Sequence, residues 1–200
     1  MQQKVLITGG SGLLAVNWAL SIRDNCSVVL ILHNRKISIP GVDSEVASLD
    51  SIKECLSVIN KYEPDVVIHT VGLANIEQCE KNADLAQHIN VDLSENIASA
   101  CNELNVKLVH ISTDHLFSGK NKMSTEDGDI KPVNFYAKTK RWGELKAQEN
   151  CKDVLIIRTN FFGWGTKYRQ SFSDFILSSL KDGKPVNLFQ DVFFTPILIN

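Results

Sequence analysis

Val5-Leu6-Ile7-Thr8-Gly9-Gly10-Ser11-Gly12-Leu13-Leu14-Ala15 runs from a short apolar segment through a glycine-rich turn into a helical pattern. Glycine lets a backbone turn sharply and approach a ligand closely, because no Cβ stands in the way. The first amides of the following helix have no intrahelical partners, and the helix dipole adds partial positive charge there. Strand, turn and helix in this order form a phosphate cradle. The spacing Gly9-x-x-Gly12-x-x-Ala15 matches the dinucleotide fingerprint, with alanine at its third position. The same kind of turn also joins strand to helix in proteins that bind nothing there, so the surrounding chain has to decide.

Working outward, the pattern repeats. Lys4–Thr8, Ser27–Leu32, Val66–His69, Lys107–Ile111 and Val154–Thr159 are continuous apolar runs of the kind buried on both faces of a parallel sheet. Glu45–Leu49 and Val186–Phe189 are shorter strand candidates. Between them lie helical patterns over Gly12–Arg23, Ser51–Tyr62 (with Asp50 as cap), Asn134–Glu149 and Phe172–Leu180. Leu85, Ile89, Leu93, Ile97 and Cys101 recur at four-residue steps and predict one long helix over Leu85–Leu104. Ser38–Asp43, Ser118–Val133 and Phe161–Thr166 read as loops. This alternation predicts an α/β fold, a doubly wound parallel sheet of the Rossmann type. Ligands of such sheets sit beyond the strands' carboxyl ends. The glycine turn, His33–Lys36, Thr70–Gly72 and Ser112–Asp114 all fall there.

The 200 residues carry 21 Lys and Arg against 23 Asp and Glu, a net charge of −2. That balance offers no electrostatic footprint for nucleic acid or an anionic membrane. No apolar run approaches the length of a membrane span, and the chain enters its first strand without a signal peptide, so a cytoplasmic protein is expected. Cys26, Cys55, Cys79, Cys101 and Cys151 are scattered, with no pair at metal-ligand spacing, and read as reduced, half-buried thiols. No metal site is expected.

After the second strand the fingerprint looks for an acid that binds the adenosine ribose. His33-Asn34-Arg35-Lys36 stands there instead. Arg35 and Lys36 could pair with a 2′-phosphate, which favours NADP over NAD, or could form a solvated basic loop. Further on, Tyr136 and Lys140 lie four residues apart, one helical turn on one face. A phenol with a pKa of about 10 is a poor acid at neutral pH, and a nearby ammonium is expected to lower it toward working range. Thr113 supplies a hydroxyl that can hydrogen-bond a carbonyl oxygen, to which the phenol gives a proton as a hydride reaches the carbon.

Thr8-Gly9-Gly10-Ser11-Gly12, Asn90, Ser112-Thr113-Asp114 and Tyr136-x-x-x-Lys140, in this order, resemble the extended short-chain dehydrogenase/reductase superfamily. Within it, His110–Gly119 and Pro132–Lys140 are similar to the two most recognisable blocks of the dTDP-4-dehydrorhamnose reductase family, and the resemblance covers essentially the whole chain. It implies Tyr136 as general acid, Lys140 as the residue that tunes it and holds the nicotinamide ribose, Thr113 as the group polarising the carbonyl, and Asn90 as support for a proton relay. It implies that Ser11, Gly12, Leu13 and Leu14, beside Gly9, meet the pyrophosphate. Asn34 and Arg35 would hold the adenosine end, Leu49 and Asp50 flank the adenine, and Thr70, Val71 and Gly72 line the inner side of an NADP or NAD cofactor. Asp114 and Phe161 would face the substrate with Thr113. The family usually has small alanines where this chain has Thr70-Val71-Gly72.

Family members run on for roughly another hundred residues, a length plausible for a nucleotide-sugar domain. The expected division is therefore a cofactor-binding domain over 1–170 and, over 171–200, the start of a small, incomplete substrate lobe. The implied reaction is NAD(P)H-dependent reduction of the 4-keto group of a nucleotide-linked deoxysugar. An epimerase or dehydratase of the same superfamily, or a cofactor-binding regulatory subunit such as the relative that partners a methionine adenosyltransferase, are the alternatives. By analogy with relatives, Leu85–Leu104 and Asn134–Glu149 could pair across the two-fold axis of a homodimer.

Overall fold

The computed structural model describes residues 2–120, 123–188, 190 and 196–199. Six parallel strands form the central sheet: β1 (Gln3–Thr8), β2 (Cys26–Leu32), β3 (Asp43–Val46), β4 (Val66–His69), β5 (Lys107–Thr113) and β6 (Val154–Thr159). Their spatial order is β3-β2-β1-β4-β5-β6. The order reverses between β1 and β4, so a crevice opens at their carboxyl ends, where a doubly wound sheet takes its ligand.

Side chains alternate across a strand, so each apolar run feeds two cores. Leu6, Val29, Ile31, Val67 and Leu108 point to one face. There they meet Cys55, Val58 and Ile59 of α2 (Ile52–Tyr62) and a helix further along the chain. Val5, Ile7, Val28, Leu30 and Ile68 point to the other, against Ala15 and Ala19 of α1 (Leu13–Ile22). Leu6, Ile7 and Leu30 are fully buried, each worth roughly 1.5–3 kcal/mol of transfer free energy.

The predicted helix over Leu85–Leu104 is present within a continuous helical run from Ala83 to Glu103, but a π-helical turn divides it. The segment after β4 holds α3 (Ile76–Lys81), α4 (Ala83–Gln87), a π-helical turn over His88–Asp92 and then α5 (Leu93–Glu103). α6 (Phe135–Asn150) packs on α5 and on the π turn, and a Cβ on Gly143 would collide with the Asn90 carbonyl. Such a close approach fixes which face α6 presents to β5. α7 (Phe172–Lys181) carries a capping box between Ser171 and Asp174. Phe161–Phe162, expected in a loop, forms a short strand β7 paired in parallel with β8 (Ile197–Leu198).

Other boundaries shift for local reasons. β5 continues through Ser112 and Thr113, because Arg158 and Thr159 of β6 offer backbone partners to the end. β3 lies at 43–46, not 45–49. The cap of α2 is Ser51, whose hydroxyl accepts from the Glu54 amide, while Asp50 turns to Ser48 and His88. The strand expected over Val186–Phe189 is irregular at 186–188, and Phe189 lies outside the described residues. Four of the five cysteines are buried rather than half-buried, and all are free thiols. No helix among the described residues is long and apolar enough to cross a membrane.

Candidate active site

The glycine turn sits in the crevice between β1 and β4. Gly9 has φ +69°, and a Cβ there would lie 2.9 Å from the Thr70 hydroxyl and 3.0 Å from the Val71 nitrogen. Gly10 donates its amide to the Ile31 carbonyl at 2.9 Å, and its Cβ would lie 2.7 Å from that of Leu30. Both positions therefore demand glycine, one for conformation and closeness, the other for closeness alone. Thr70 donates to the Thr8 carbonyl at 2.7 Å and locks the two strand ends together. α1 begins with no side-chain cap and no acid in its first turn. α2, α3, α4, α6 and α7 are all capped by a side chain. The bare first turn of α1 faces a cleft of about 320 Å³, a fit for an anionic group.

The cleft is lined by the glycine turn and its sequel (Gly9, Ser11, Gly12, Leu13, Leu14), by Thr70, Val71 and Gly72 after β4, and by Tyr136, Lys140 and Phe161. Eleven of the expected residues thus share one space. Ser112, expected at the ligand end of its strand, lines it too, with Ala74, Ile111, Thr159 and Arg169, which were not anticipated as site residues. Thr113, Asp114, Asn90, Asn34, Arg35, Leu49 and Asp50 are outside its lining. Leu49 is buried in the core beneath α2, and Asp50 contacts His88. Arg35 lies over the Tyr168 ring, 4.4 Å from its centroid.

Asn90 sits in the π turn and has its amide fully engaged. Its Oδ1 accepts from the Leu73 amide at 2.8 Å, and its Nδ2 donates to the Leu73 carbonyl and to the Thr139 hydroxyl at 2.9 Å. It braces the loop after β4, which lines the cleft, against α6.

The acid–base pair departs from expectation. Lys140 is buried and donates to the Ile111 carbonyl at 2.7 Å. Burial lowers its pKa to about 8, with Glu144 pulling the other way. The Tyr136 pKa is raised, not lowered: burial is the main cause, the Thr113 hydroxyl offsets part of it, and Asp114 adds to the rise. The shared helical face was correctly read, but the ammonium reaches down to the sheet backbone rather than across to the phenol. At neutral pH the phenol keeps its proton. The His115 ring meets Tyr136 edge-on at 5.8 Å and closes the other side.

Two imidazoles lie beneath the site. His69 and His110, paired in register on β4 and β5, stack at 5.5 Å and are fully buried. His69 meets the Thr8 hydroxyl through Nδ1 at 2.8 Å, whereas neither nitrogen of His110 has a partner among the described residues. Burial, then the Lys140 charge, lowers the His69 pKa to about 3, and the same causes hold His110 well below its ordinary value. Below the unfolded imidazole pKa of about 6.5 the unfolded chain binds protons that the folded chain refuses. Stability is therefore complete above that value and falls as pH drops from about 6.5 toward 3. Urea midpoints should decline between pH 7 and pH 5, and His110→Phe should remove about half of that slope.

Sheet order, glycine turn and the Tyr136–Lys140 helix beside β5 define the class: an extended short-chain dehydrogenase/reductase fold. A family model described as RmlD substrate binding domain matches residues 3–199, and the chain belongs to that family. It is 27% identical over 95% of its length to the probable low-salt glycan biosynthesis reductase Agl14 of Haloferax volcanii, covering 65% of that protein. It is 31% identical over 72% of its length to the dTDP-4-dehydrorhamnose reductase of Salmonella typhimurium, covering 48% of it. Among solved structures, the dTDP-4-dehydrorhamnose reductase of Bacillus anthracis, in complex with NADP, superposes with a TM-score of 0.73 at 26% identity, over 91% of this chain and 61% of that one. The chain spans roughly half to two-thirds of the length of such relatives.

Proposed function

We propose that the chain binds NADP(H) or NAD(H) and carries the catalytic half of a reductase acting on the 4-keto group of a nucleotide-linked deoxysugar. One observation carries the reading: a single cleft joins an uncapped helix N-terminus, suited to a diphosphate, to a protonated phenol and a buried ammonium. The reductases and the NADP complex among its relatives support the same reading.

The cofactor, when bound, supplies a hydride to the carbonyl carbon. The residues of the chain do the rest. The first turn of α1 and the loop after β4 orient the dinucleotide, with Ser11, Gly12, Leu13 and Leu14 at the diphosphate and Thr70, Val71 and Gly72 along its inner side. Tyr136 gives its proton to the carbonyl oxygen, and Thr113 polarises that oxygen and stabilises the tyrosinate left behind. Lys140 keeps positive charge beneath the nicotinamide ribose. Asn90 acts as a brace rather than a proton carrier, because its amide is already satisfied. Asp114 and Phe161 face the substrate. Residues 171–200 begin the substrate lobe, Trp142 and Leu145, partly exposed on α6, contribute to a homodimer face, and the free thiols suit a reducing cytoplasm.

Asn34 and Arg35 are assigned to the adenosine 2′-phosphate. A cation–π contact with Tyr168, 4.4 Å to the ring centroid, holds the Arg35 guanidinium in place. Fluorescence titration should show NADPH binding about tenfold tighter than NADH, the scale of one charge-assisted hydrogen bond. Arg35→Ala should level the two. Net oxidation of NADPH by a keto-sugar nucleotide separates a reductase from an epimerase, which returns the hydride. Failure of both dinucleotides to bind would refute the assignment.

A further inference from the structure

We infer that Arg169 is the cationic ligand of the cofactor's diphosphate, carried to the glycine turn by a stapled turn of the segment after β7. The inference rests on the cofactor reading of the cleft. Two lining residues are cations, Lys140 and Arg169. The Lys140 ammonium is engaged by the Ile111 carbonyl, whereas Arg169 is exposed at the cleft wall and pairs with no carboxylate among the described residues. The glycine turn itself offers backbone amides, the Ser11 hydroxyl and the partial charge of one helix end, but no full positive charge. A diphosphate bears full negative charge, and a guanidinium fork is the side chain shaped to meet it.

The position of Arg169 is built rather than incidental. Thr166 and Arg169 exchange backbone hydrogen bonds at 2.9 and 3.1 Å and close the turn. Oδ2 of Asp174 accepts from the Gly165 amide, the Ser171 amide and the Ser171 hydroxyl, all within 2.9 Å, and ties both feet of the turn to α7. The Tyr168 hydroxyl then donates to the Ser11 carbonyl at 2.9 Å, and Asn17 donates to the Trp164 carbonyl at 3.1 Å. Two side-chain bonds thus hold this turn over the start of α1, with Arg169 next in sequence to the tyrosine that touches Ser11. A nucleotide-sugar also carries a diphosphate, but Tyr168, next in sequence to Arg169, is anchored to Ser11, which argues for the cofactor side.

The test is binding by Arg169→Ala and Arg169→Lys in the full chain, titrated separately with NADPH, NADH and dTDP, with thermal melts as the folding control. Arg169→Ala should weaken NADPH and NADH equally, by about 10- to 100-fold, the range of charge-assisted hydrogen bonds. Arg169→Lys should recover part of the loss, and dTDP affinity should stay unchanged. Unaltered dinucleotide affinity, a loss confined to NADPH, or a loss confined to dTDP would each overturn the assignment while leaving the cofactor reading intact. A wild-type chain that binds neither dinucleotide would overturn both.

Discussion

Tyr136→Phe is expected to reduce turnover by about 10²- to 10⁴-fold, the contribution of a positioned general acid, while the dissociation constant for NADPH changes less than about twofold. The substitution removes one oxygen from a half-buried ring and leaves the body of the cleft wall in place. Its effect is specific because the phenol is protonated when it is needed. Burial raises the Tyr136 pKa, and Thr113 moderates the rise. In the reduction direction the proton must be on the oxygen at the start, so the turnover rate should be level through neutral pH, fall first as Lys140 loses its charge at about 8, and fall again as pH climbs through the raised phenol value. Thr113→Val removes the moderating hydroxyl and should push that fall to higher pH while slowing the reaction. Stopped-flow reduction with a keto-sugar nucleotide, alongside cofactor titration, separates the two quantities. Normal turnover in Tyr136→Phe would remove the phenol from the chemistry and leave only a binding fold.

The roles assigned to Tyr136 and Lys140 show where the amino-acid sequence speaks and where it stops. Continuous apolar runs mark strands well, so β4, which is buried, and even the half-exposed edge strand β6 are legible to the residue. The polar end of β5 is not, because Ser112 and Thr113 stay in the sheet only through their neighbours on β6. The four-residue steps at Leu85, Ile89, Leu93 and Ile97 overrun the helical period of 3.6. A π turn at His88–Asp92 absorbs the excess and turns Asn90 onto Leu73 and Thr139. That overrun was a readable signal. Helical spacing also places Lys140 beside Tyr136 on one face, but cannot tell that the ammonium ends on a backbone carbonyl. Ile111, Thr159 and Arg169 join the cleft through strand order and one long-range turn, neither of which leaves a local mark.

Glu144→Ala should cost about 3–5 kcal/mol of stability, the penalty for opening a buried ion pair from one side. The Glu144 side chain is 1% exposed. It receives Arg158 through Nε and Nη2, both at 2.9 Å, and Arg141 at 2.8 Å. Burial alone would raise the Glu144 pKa, but Arg158, Ser112 and Arg141 overcome it and hold it below the ordinary carboxylate value. Its contribution is therefore present above the unfolded value near 4.3 and disappears as pH falls through the folded one. Without the carboxylate, two partly exposed guanidinium groups are left facing each other with no counter-charge between them. Replacing the whole cluster with apolar side chains, Glu144→Leu with Arg158→Met and Arg141→Leu, should recover most of the loss, because no charge is then left uncompensated. The same carboxylate is what opposes burial at Lys140, one helical turn away. Glu144→Ala should thus drop the Lys140 pKa further below about 8, so that the ammonium under the site begins to lose its proton near neutral pH. Urea unfolding checks the first effect. A turnover profile whose alkaline limb moves to lower pH checks the second, and a purely structural carboxylate would leave that limb where it was.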